Sequence, residues 1–295
     1  MKNNNQTDLT LIILNYNSRF WLKKTLSTLK KEYLKKSKYK IKTIVVDNNS
    51  EDDSVLMVKK EFKWVELIEL AENIGFAAGN NVALKDIQSK YVMLCNNDLE
   101  FTQKSNLDSL INYMNENEDI AVITPKLLLG NNSDGKIDMA CHRGEPTPWA
   151  SFTYFTKLEK LFPNKKLFSE YHQLYKGFDS IHQIDDCSGA AMLVKKSAID
   201  KIGLLDERFF MYAEDLDWCK RFRNEDYKVY FYPDVEIIHH KYKSGIKSPS
   251  DRTSKKIKAY FYDTMLQYFD KHYSHYPRIY KFLLQIFVFI KKGGE

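Results

Sequence analysis

The sequence predicts an α/β protein in which helices flank a mixed, mainly parallel sheet, and three observations lead to that prediction. Short β-branched segments alternate with segments of helical apolar spacing over the first hundred residues. These strand-like segments end in clusters of Asn and Asp. The 295 residues are 43% hydrophobic, which is enough to bury a substantial core. Strands that alternate with helices pair in parallel, and ligands bind beyond the carboxyl ends of such strands.

In the first half of the chain, strands are predicted where short apolar runs are bounded by polar residues. Helices are predicted where apolar residues recur at every third or fourth position, as Leu22, Leu26 and Leu29 do. In chain order, these elements are a strand at 9–14, a helix at 21–34, a strand at 41–46, a helix at 54–62, a strand at 65–70, a helix at 76–87 and a strand at 91–95.

The second half of the chain is less regular. The same criteria predict a helix at 107–117 and a strand at 120–124. Residues 130–182 are rich in Gly, Pro and aromatic residues and are expected to form a loop-rich insertion near a binding site. Regular structure is expected again at 189–195, 197–202, 214–224 and 229–232, followed by two helical segments after Lys241.

Cysteine usage and hydropathy bound the class of protein. The four cysteines include no CxxC pair, which argues against a zinc site and favours reduced thiols in a cytoplasmic protein. The first nine residues are polar and lack the apolar core of a secretory signal peptide. The longest apolar run, residues 282–290, is far below the ~20 residues that a transmembrane helix needs. A transmembrane protein is therefore not expected.

The basic character of the chain belongs to its C-terminal tail. The formal net charge is +6, but residues 241–295 alone hold 12 basic residues against four acidic ones. These basic residues alternate with Tyr and Phe, which favours a peripheral element on an anionic membrane surface. A helix pair that packs on the rest of the protein or in a homodimer is the alternative. No recognised binding motif accompanies the charge, so nucleic acid is not expected as a partner.

Two polar segments of the first half point to a nucleotide. In residues 47–50, the Asp47 carboxylate ends a strand and can accept a hydrogen bond from a nucleobase or a ribose, although such residues also favour turns. In residues 73–81, Gly75 and Gly79 open a helix whose N-terminus favours phosphate. Tight packing of that helix on the sheet is the alternative.

Two further positions suit a divalent cation. Asp98 follows a strand beside Asn96 and Asn97, and Mg²⁺ or Mn²⁺ there would take its other ligands from phosphates and water. An N-cap role is the alternative for this carboxylate. His239 and His240 end a later apolar segment, where an imidazole can bind a metal or a phosphate or be purely structural.

A late acidic cluster offers a general base. Glu214 and Asp215 are expected at the start of a helix, where at least one can face a pocket and accept a proton. Asp217 is expected to pair with Arg221, four residues further along the same helix. A base-binding Asp, a Gly-containing loop, a metal-binding Asp and a late carboxylate together suit an enzyme that handles a nucleotide diphosphate with a divalent cation.

As a set, these motifs resemble those of inverting glycosyltransferases of family 2, which have the GT-A (Rossmann-like) fold, in the rhamnosyltransferase-like branch. The resemblance covers roughly residues 9–245. Its motifs are Asn15-Tyr-Asn-Ser, Val46-Asp-Asn-Asn-Ser, the segment 73–81, Asn96-Asn-Asp, Ser188-Gly-Ala, the block 209–221, and His239 five residues before Ser244. It implies a GT-A domain at 1–245, with nucleotide-sugar binding in about 1–100 and the acceptor side and catalytic base in 101–245. Residues 246–295 would form the helical basic tail.

The resemblance implies a substrate class and a location. A sugar, rhamnose or another hexose, would move from a dTDP- or UDP-sugar to a hydroxyl of a saccharide or polyprenyl-linked oligosaccharide in surface polysaccharide synthesis. The enzyme would be cytoplasmic and peripheral on the inner face of the cell membrane. The residues expected to bind the nucleotide sugar are Asn15, Tyr16, Asp47, Asn49, Asn73, Gly75, Phe76, Asn80 and Asn97.

The resemblance also implies catalytic roles. Asp215 matches the general base, with Glu214 beside it, and would take a proton from the acceptor hydroxyl as that oxygen attacks the anomeric carbon. Asp98 matches the last carboxylate of the DxD metal motif, and His239 would complete the Mg²⁺ or Mn²⁺ site. Asn96 stands where the motif has its first Asp, and this departure lowers the metal affinity that we expect.

Two other functions were weighed against this one. A sugar-1-phosphate nucleotidyltransferase would carry a Gly-rich basic loop directly after the first strand, where this chain has Asn15-Tyr-Asn-Ser. A non-catalytic nucleotide-sugar-binding scaffold of a polysaccharide assembly complex is favoured mildly by Asn96. The retained Asp215 argues against a scaffold.

Overall fold

A computed structural model of the chain describes residues 7–130, 135–241 and 251–292, with side chains in the last range from residue 259 onward. Three features of the sequence analysis lie outside the described residues: positions 131–134 of the predicted 130–182 insertion, Ser244, and the boundary between domain and tail at 245–246.

The strands are, in chain order, β1 (Leu9–Asn15), β2 (Ile41–Asp47), β3 (Glu66–Glu69), β4 (Tyr91–Asn96), β5 (Leu99–Phe101), β6 (Ile120–Leu129), β7 (His182–Ile184), β8 (Ala191–Lys195) and β9 (Lys228–His239). The α-helices are α1 (Arg19–Leu29), α2 (Ser54–Glu61), α3 (Phe76–Leu84), α4 (Leu107–Glu116), α5 (Pro148–Phe155), α6 (Leu158–Leu161), α7 (Lys166–Ser169), α8 (Lys196–Ile202), α9 (Glu214–Asn224), α10 (Asp251–His272) and α11 (Arg278–Lys292). A π-helical turn, Lys30–Leu34, extends α1.

The strands form one mixed sheet in the order β3-β2-β1-β4-β8-β6-β9-β5, with β7 also paired to β9. The first four strands of that order are mutually parallel, β8 is antiparallel to both of its neighbours, and β6 and β9 are parallel. Helices flank the sheet, so the predicted α/β class is confirmed. Strands β1 and β4 are almost completely buried, which explains their continuous apolar sequences.

Strand β9 is longer than the segment 229–232 predicted from sequence. Its pairing with β6 jumps from Tyr232 to Glu236, because Pro233 has no N–H to donate to the ladder. Beyond this bulge the strand continues to His239, which therefore reaches the carboxyl edge of the sheet. The short strands β5 and β7, which the sequence analysis did not predict, both pair with β9.

The C-terminal tail is helical, as predicted, and α10 packs against α9 and the segment before it. Tyr268 and Phe269 of α10, and Tyr273 just after it, are buried against Phe209 and Leu216. None of the helices in the described ranges is both long and apolar enough to span a membrane.

Asp217 attaches this tail to α9. It is fully buried and accepts hydrogen bonds from Arg221 Nε at 2.8 Å and His272 Nε2 at 2.7 Å. Lys271 also forms an ion pair with it. The predicted Asp217–Arg221 pair is confirmed, and the same carboxylate binds two further groups from α10.

Candidate active site

A large cavity lies at the carboxyl ends of β1, β2, β4 and β9, the edge where the sequence predicts ligand binding. Its volume of about 1730 Å³ exceeds the ~300–1000 Å³ of a typical small-molecule site. Side chains of α5, α10 and α11, many of them aromatic, line its other side. This cavity, called the chamber below, therefore has room for two substrates.

The predicted site residues divide into two groups. Those that line the chamber are Tyr16, Asn73, Gly75, Phe76, Asn97, Asp98, Glu214, Asp215 and His239. Those that are not among its lining residues are Asn15, Asp47, Asn49 and Asn80. The residue-by-residue roles stay predictions, but the structure brings the proposed metal and base residues into one cavity.

Asn15 and Asp47 form a buried hydrogen-bond network behind the chamber wall. Asn15 Nδ2 donates to Asp47 Oδ2 at 2.9 Å, and Asn97 Nδ2 donates to Asn15 Oδ1 at 2.9 Å. The N–H of Ser50 donates to Asp47 Oδ1 at 2.7 Å. The network joins the ends of β1, β2 and β4. In this structure both side chains therefore support the site rather than face it.

Asn48, which the sequence analysis did not single out, organises the loop before α3. Its Nδ2 donates to Asn73 Oδ1 and to the Gly75 carbonyl, both at 3.0 Å, and its Oδ1 accepts from the N–H of Ile74 at 3.0 Å. The N–H of Gly75 donates to Asn73 Oδ1, and that of Phe76 to the Phe210 carbonyl at 2.6 Å. Since all three amides already have acceptors, tight packing rather than a phosphate cradle accounts for this loop.

Gly75 is required by that packing. Its φ of +89° is strained for any residue with a Cβ, and a Cβ built there would lie 2.4 Å from the Phe210 carbonyl oxygen. The loop is thereby fixed against the segment that leads into α9.

Asp98 and His239 face each other at the sheet edge. Asp98 Oδ1 lies 3.2 Å from His239 Nε2, a distance for an ion pair, but it accepts no hydrogen bond from the described residues. On the other side of the ring, His239 Nδ1 contacts Asp138 Oδ2 at 2.8 Å, and Lys241 donates to Asp138 Oδ1 at 2.8 Å. Burial lowers the pKa of His239, but the nearby carboxylates of Asp138 and Asp98 outweigh burial and raise it to about 9.

These residues fit an open site for a divalent cation. The Asp98 oxygen that lacks a hydrogen bond and the His239 Nε2 atom are two atoms on the chamber wall that can coordinate a metal ion. Asp138 orients the imidazole as carboxylates do for metal-binding histidines. Within the described ranges, no group of three or more acidic, His or Cys side chains gathers as a complete metal site. Mg²⁺ and Mn²⁺ commonly take their remaining ligands from substrate phosphates and water, so two protein donors are compatible with them.

The acidic pair begins α9 at the chamber wall. Tyr212 and Ala213, just before it, both have left-handed backbone conformations, with φ of 72° and 67°, which cost about 1–3 kcal/mol each. This turn directs Glu214 and Asp215 toward the chamber. Burial and the neighbouring Asp215 raise the pKa of Glu214 well above its usual value, which favours the protonated carboxyl group.

Asp215 has an unexpected partner. Arg143 Nη2 donates to its Oδ2 at 2.7 Å, and both side chains are largely buried. Arg143 and Asp138 come from the irregular 130–182 region, which was predicted to lie near a binding site but without named residues. The sequence around these two residues shows no periodic pattern or motif. Tertiary contacts bring them to the chamber.

Comparison with known proteins decides the family. The model of glycosyl transferase family 2 matches residues 10–203. The chain belongs to glycosyl transferase family 2. It is therefore a glycosyltransferase, and the resemblance noted in the sequence is confirmed.

Curated relatives of this glycosyltransferase include hexosyl- and rhamnosyltransferases. The low-salt glycan biosynthesis hexosyltransferase Agl10 of Haloferax volcanii is 26% identical over 79% of the chain and 67% of its own length. Rhamnosyltransferase WbbL of Escherichia coli is 24% identical over 78% and 82%. An N-acetylglucosaminyl-diphospho-decaprenol L-rhamnosyltransferase of Mycobacterium tuberculosis is 33% identical, but over only 29% of the chain and 26% of its own length.

Solved structures support the fold of this glycosyltransferase. The mannosyltransferase PcManGT of Pyrobaculum calidifontis, in complex with GDP-Man and Mn²⁺, matches 96% of the chain and 70% of its own with a TM-score of 0.58 at 15% identity. GalNAc-T7 with UDP, GalNAc and Mn²⁺ matches 80% of the chain and 44% of its own with a TM-score of 0.57 at 13% identity. At these identities the likeness shows the fold, and the predicted GT-A architecture is confirmed.

Proposed function

We propose that this family 2 enzyme moves a hexosyl or rhamnosyl group from a dTDP- or UDP-sugar to a hydroxyl of a saccharide or polyprenyl-linked acceptor, with inversion at the anomeric carbon. The observation that carries the proposal is that one chamber, large enough for two substrates, brings together Asp98, His239 and Asp215. The names of the hexosyl- and rhamnosyltransferase relatives support the choice of sugar.

The two substrates would occupy different parts of the chamber. Asn73, Gly75 and Phe76 lie on the side of β1 and β2, and with Tyr16 they would contact the donor. We assign the acceptor to the aromatic wall from α5, α10 and α11. Donor binding would thus belong to residues 1–100, whereas the acceptor side would combine part of 101–245, including the base, with the two C-terminal helices.

The reaction would be a single in-line displacement. Asp215 takes the proton of the acceptor hydroxyl while that oxygen forms a bond to the anomeric carbon and the bond to the diphosphate breaks. Asp98 and His239 would hold Mg²⁺ or Mn²⁺, which as a Lewis acid supplies charge stabilisation to the departing diphosphate. Glu214, whose pKa is raised and whose Oε2 lacks a hydrogen-bond partner among the described residues, can in its protonated form donate a hydrogen bond to a substrate hydroxyl.

Asp215→Asn tests this function. We expect donor hydrolysis in the absence of acceptor to fall by about 10²–10⁴-fold, the contribution of a positioned general base. Binding of the donor should be unchanged, as measured by thermal stabilisation with dTDP-rhamnose, UDP-glucose and UDP-N-acetylglucosamine. The control is Asp200→Asn on α8, where the carboxylate is largely exposed. Donor affinity that falls together with turnover would contradict the role of Asp215.

We also propose that the tail associates with an anionic membrane surface. One face of α11 remains exposed, with Ile279, Phe282, Phe289 and Ile290 each more than half accessible to solvent. The helix carries four basic residues and no acidic one, which complements anionic lipid headgroups. Another face of α11 packs on the protein, where Phe287 contacts Phe155 of α5 at a ring distance of 4.6 Å.

Vesicle sedimentation tests this association. The wild-type protein should sediment with phosphatidylglycerol vesicles and much less with phosphatidylcholine vesicles. The double variant Phe282→Asp/Ile290→Asp should remain in the supernatant, whereas Leu56→Asp, at an equally exposed apolar site on α2, should behave as wild type. A wild-type protein that ignores both vesicles and has the mass of a dimer would instead show that this face binds a second copy of the chain.

A further inference from the structure

The carboxylate of Asp215 is held unequally at its two oxygens. Oδ2 accepts from Arg143 Nη2 at 2.7 Å and from the N–H of Gly189 at 3.3 Å, whereas Oδ1 accepts, among the described residues, only from the N–H of Leu216 at 2.8 Å. Each carboxylate oxygen has two acceptor positions. Oδ2 is therefore saturated, and Oδ1 is the oxygen with a lone pair left for a substrate proton.

The backbone of Arg143 is anchored by a short antiparallel bridge. Its N–H donates to the Asp186 carbonyl at 3.0 Å and its carbonyl accepts from the N–H of Asp186 at 2.9 Å. Its guanidinium is mostly buried beside Asp215 and close to Tyr171, and its Nε has no hydrogen-bond partner among the described residues. A planar guanidinium packed against a carboxylate can set the orientation of that carboxylate.

We propose that Arg143 is a positioning residue for the transfer reaction: together with the Gly189 amide it fixes Oδ2 of Asp215, so that Oδ1 alone receives the proton of the attacking hydroxyl. This inference rests on the proposed function, in which Asp215 is the base. The proton moves from the nucleophile to Oδ1, the new C–O bond forms at the anomeric carbon, and the diphosphate leaves with the electron pair of the broken bond.

The experiment measures kcat and KM for donor hydrolysis, with whichever dTDP- or UDP-sugar stabilises the wild-type protein. For Arg143→Met we expect the maximal kcat to fall about 10²-fold, the scale of a 1 Å misplacement, with little change in the donor KM. Arg143→Lys keeps the charge but not the planar fork, so its kcat should remain reduced as well.

Controls separate this role from a purely structural one. Arg208→Met removes an exposed arginine that pairs with Asp206 and should leave both kcat and the donor KM unchanged. If Arg143→Met does not fold, Arg143→Lys decides the matter, because a wild-type kcat in that variant would overturn the proposal. An unchanged kcat in folded Arg143→Met, or a donor KM that rises in step with the loss of kcat, would overturn it as well.

The same assays distinguish failure of this inference from failure of the proposed function. If Asp215→Asn hydrolyses the donor as fast as wild type, Asp215 is not the base and the proposed function fails. If Asp215→Asn is inactive while the Arg143 variants behave like Arg208→Met, the function stands and only the positioning role is wrong.

Discussion

Replacement of Asp217 by Asn tests how the C-terminal helices are attached to the catalytic domain. The substitution keeps the size of the side chain but removes the charge that Arg221, Lys271 and His272 share. Asp217 is fully buried, and its cationic partners are mostly buried as well. Breaking a buried ion pair by removing one partner typically costs about 3–5 kcal/mol, because the other charge is left uncompensated.

The expected loss of stability can be measured as a decrease in melting temperature. At about 2 °C per kcal/mol, the lower end of the range for large domains, Asp217→Asn should melt about 6–10 °C below wild type in a calorimetric scan. The matched control is Glu225→Gln, which breaks an ion pair with Lys201 in which both side chains are about half exposed. That change should cost no more than about 1 kcal/mol.

The pH dependence of stability gives the same prediction a second readout. Burial raises the pKa of Asp217, but hydrogen bonds from His272 and Lys271 outweigh burial and hold the pKa below its usual value. The stabilisation is therefore present above the usual Asp range and is lost as the pH falls through the lowered value. Asp217→Asn should flatten this acid-side loss. A variant that melts within 1 °C of Glu225→Gln, with the wild-type acid dependence, would refute the reasoning.

Three further predictions concern other parts of the fold. Gly75→Ala should lose both nucleotide-sugar binding and stability. Gly203→Ala, which has a similar positive φ but open space where the Cβ would lie, should lose only a little stability. Donor-binding and melting measurements on both variants check this. Burial raises the pKa of Glu145, but hydrogen bonds from Lys220 and two other neighbours lower it to about 2, so its stabilisation is lost as the pH falls toward that value. Acid titration of Glu145→Gln should show a shallower decline. All four cysteines are buried, so a thiol reagent should label none of them until the protein unfolds.

The elements that were predicted well from the sequence are those whose own residues form a recognisable pattern. Strands β1, β2 and β4 are continuous apolar runs because they are buried in the sheet, and α9 shows a clear change from acidic to basic residues along its length. Strands β5 and β7 have three residues each, too few for a periodic pattern, and they form because β9 is next to them.

The site was predicted only as far as its motifs. Asp98, His239 and Asp215 lie in recognisable segments, and all three line the chamber. The sequence did not show which residue of a polar cluster lines the chamber. Asn48 lines it, whereas its neighbours Asp47 and Asn49 do not. That choice depends on the backbone direction after β2 ends, which tertiary contacts determine.

Binding of a nucleotide sugar is the measurement that tests the account most directly. Thermal unfolding of the wild-type protein would be followed with dTDP-rhamnose, UDP-glucose and UDP-N-acetylglucosamine, each with and without Mn²⁺. At 100 times its dissociation constant, a ligand should add about 2.7 kcal/mol to the free energy of unfolding. We expect one donor to stabilise the protein, more strongly with Mn²⁺, and Asp98→Asn to abolish the effect of the metal. Cooperative melting that no nucleotide sugar shifts, with or without Mn²⁺, would contradict the proposed donor site.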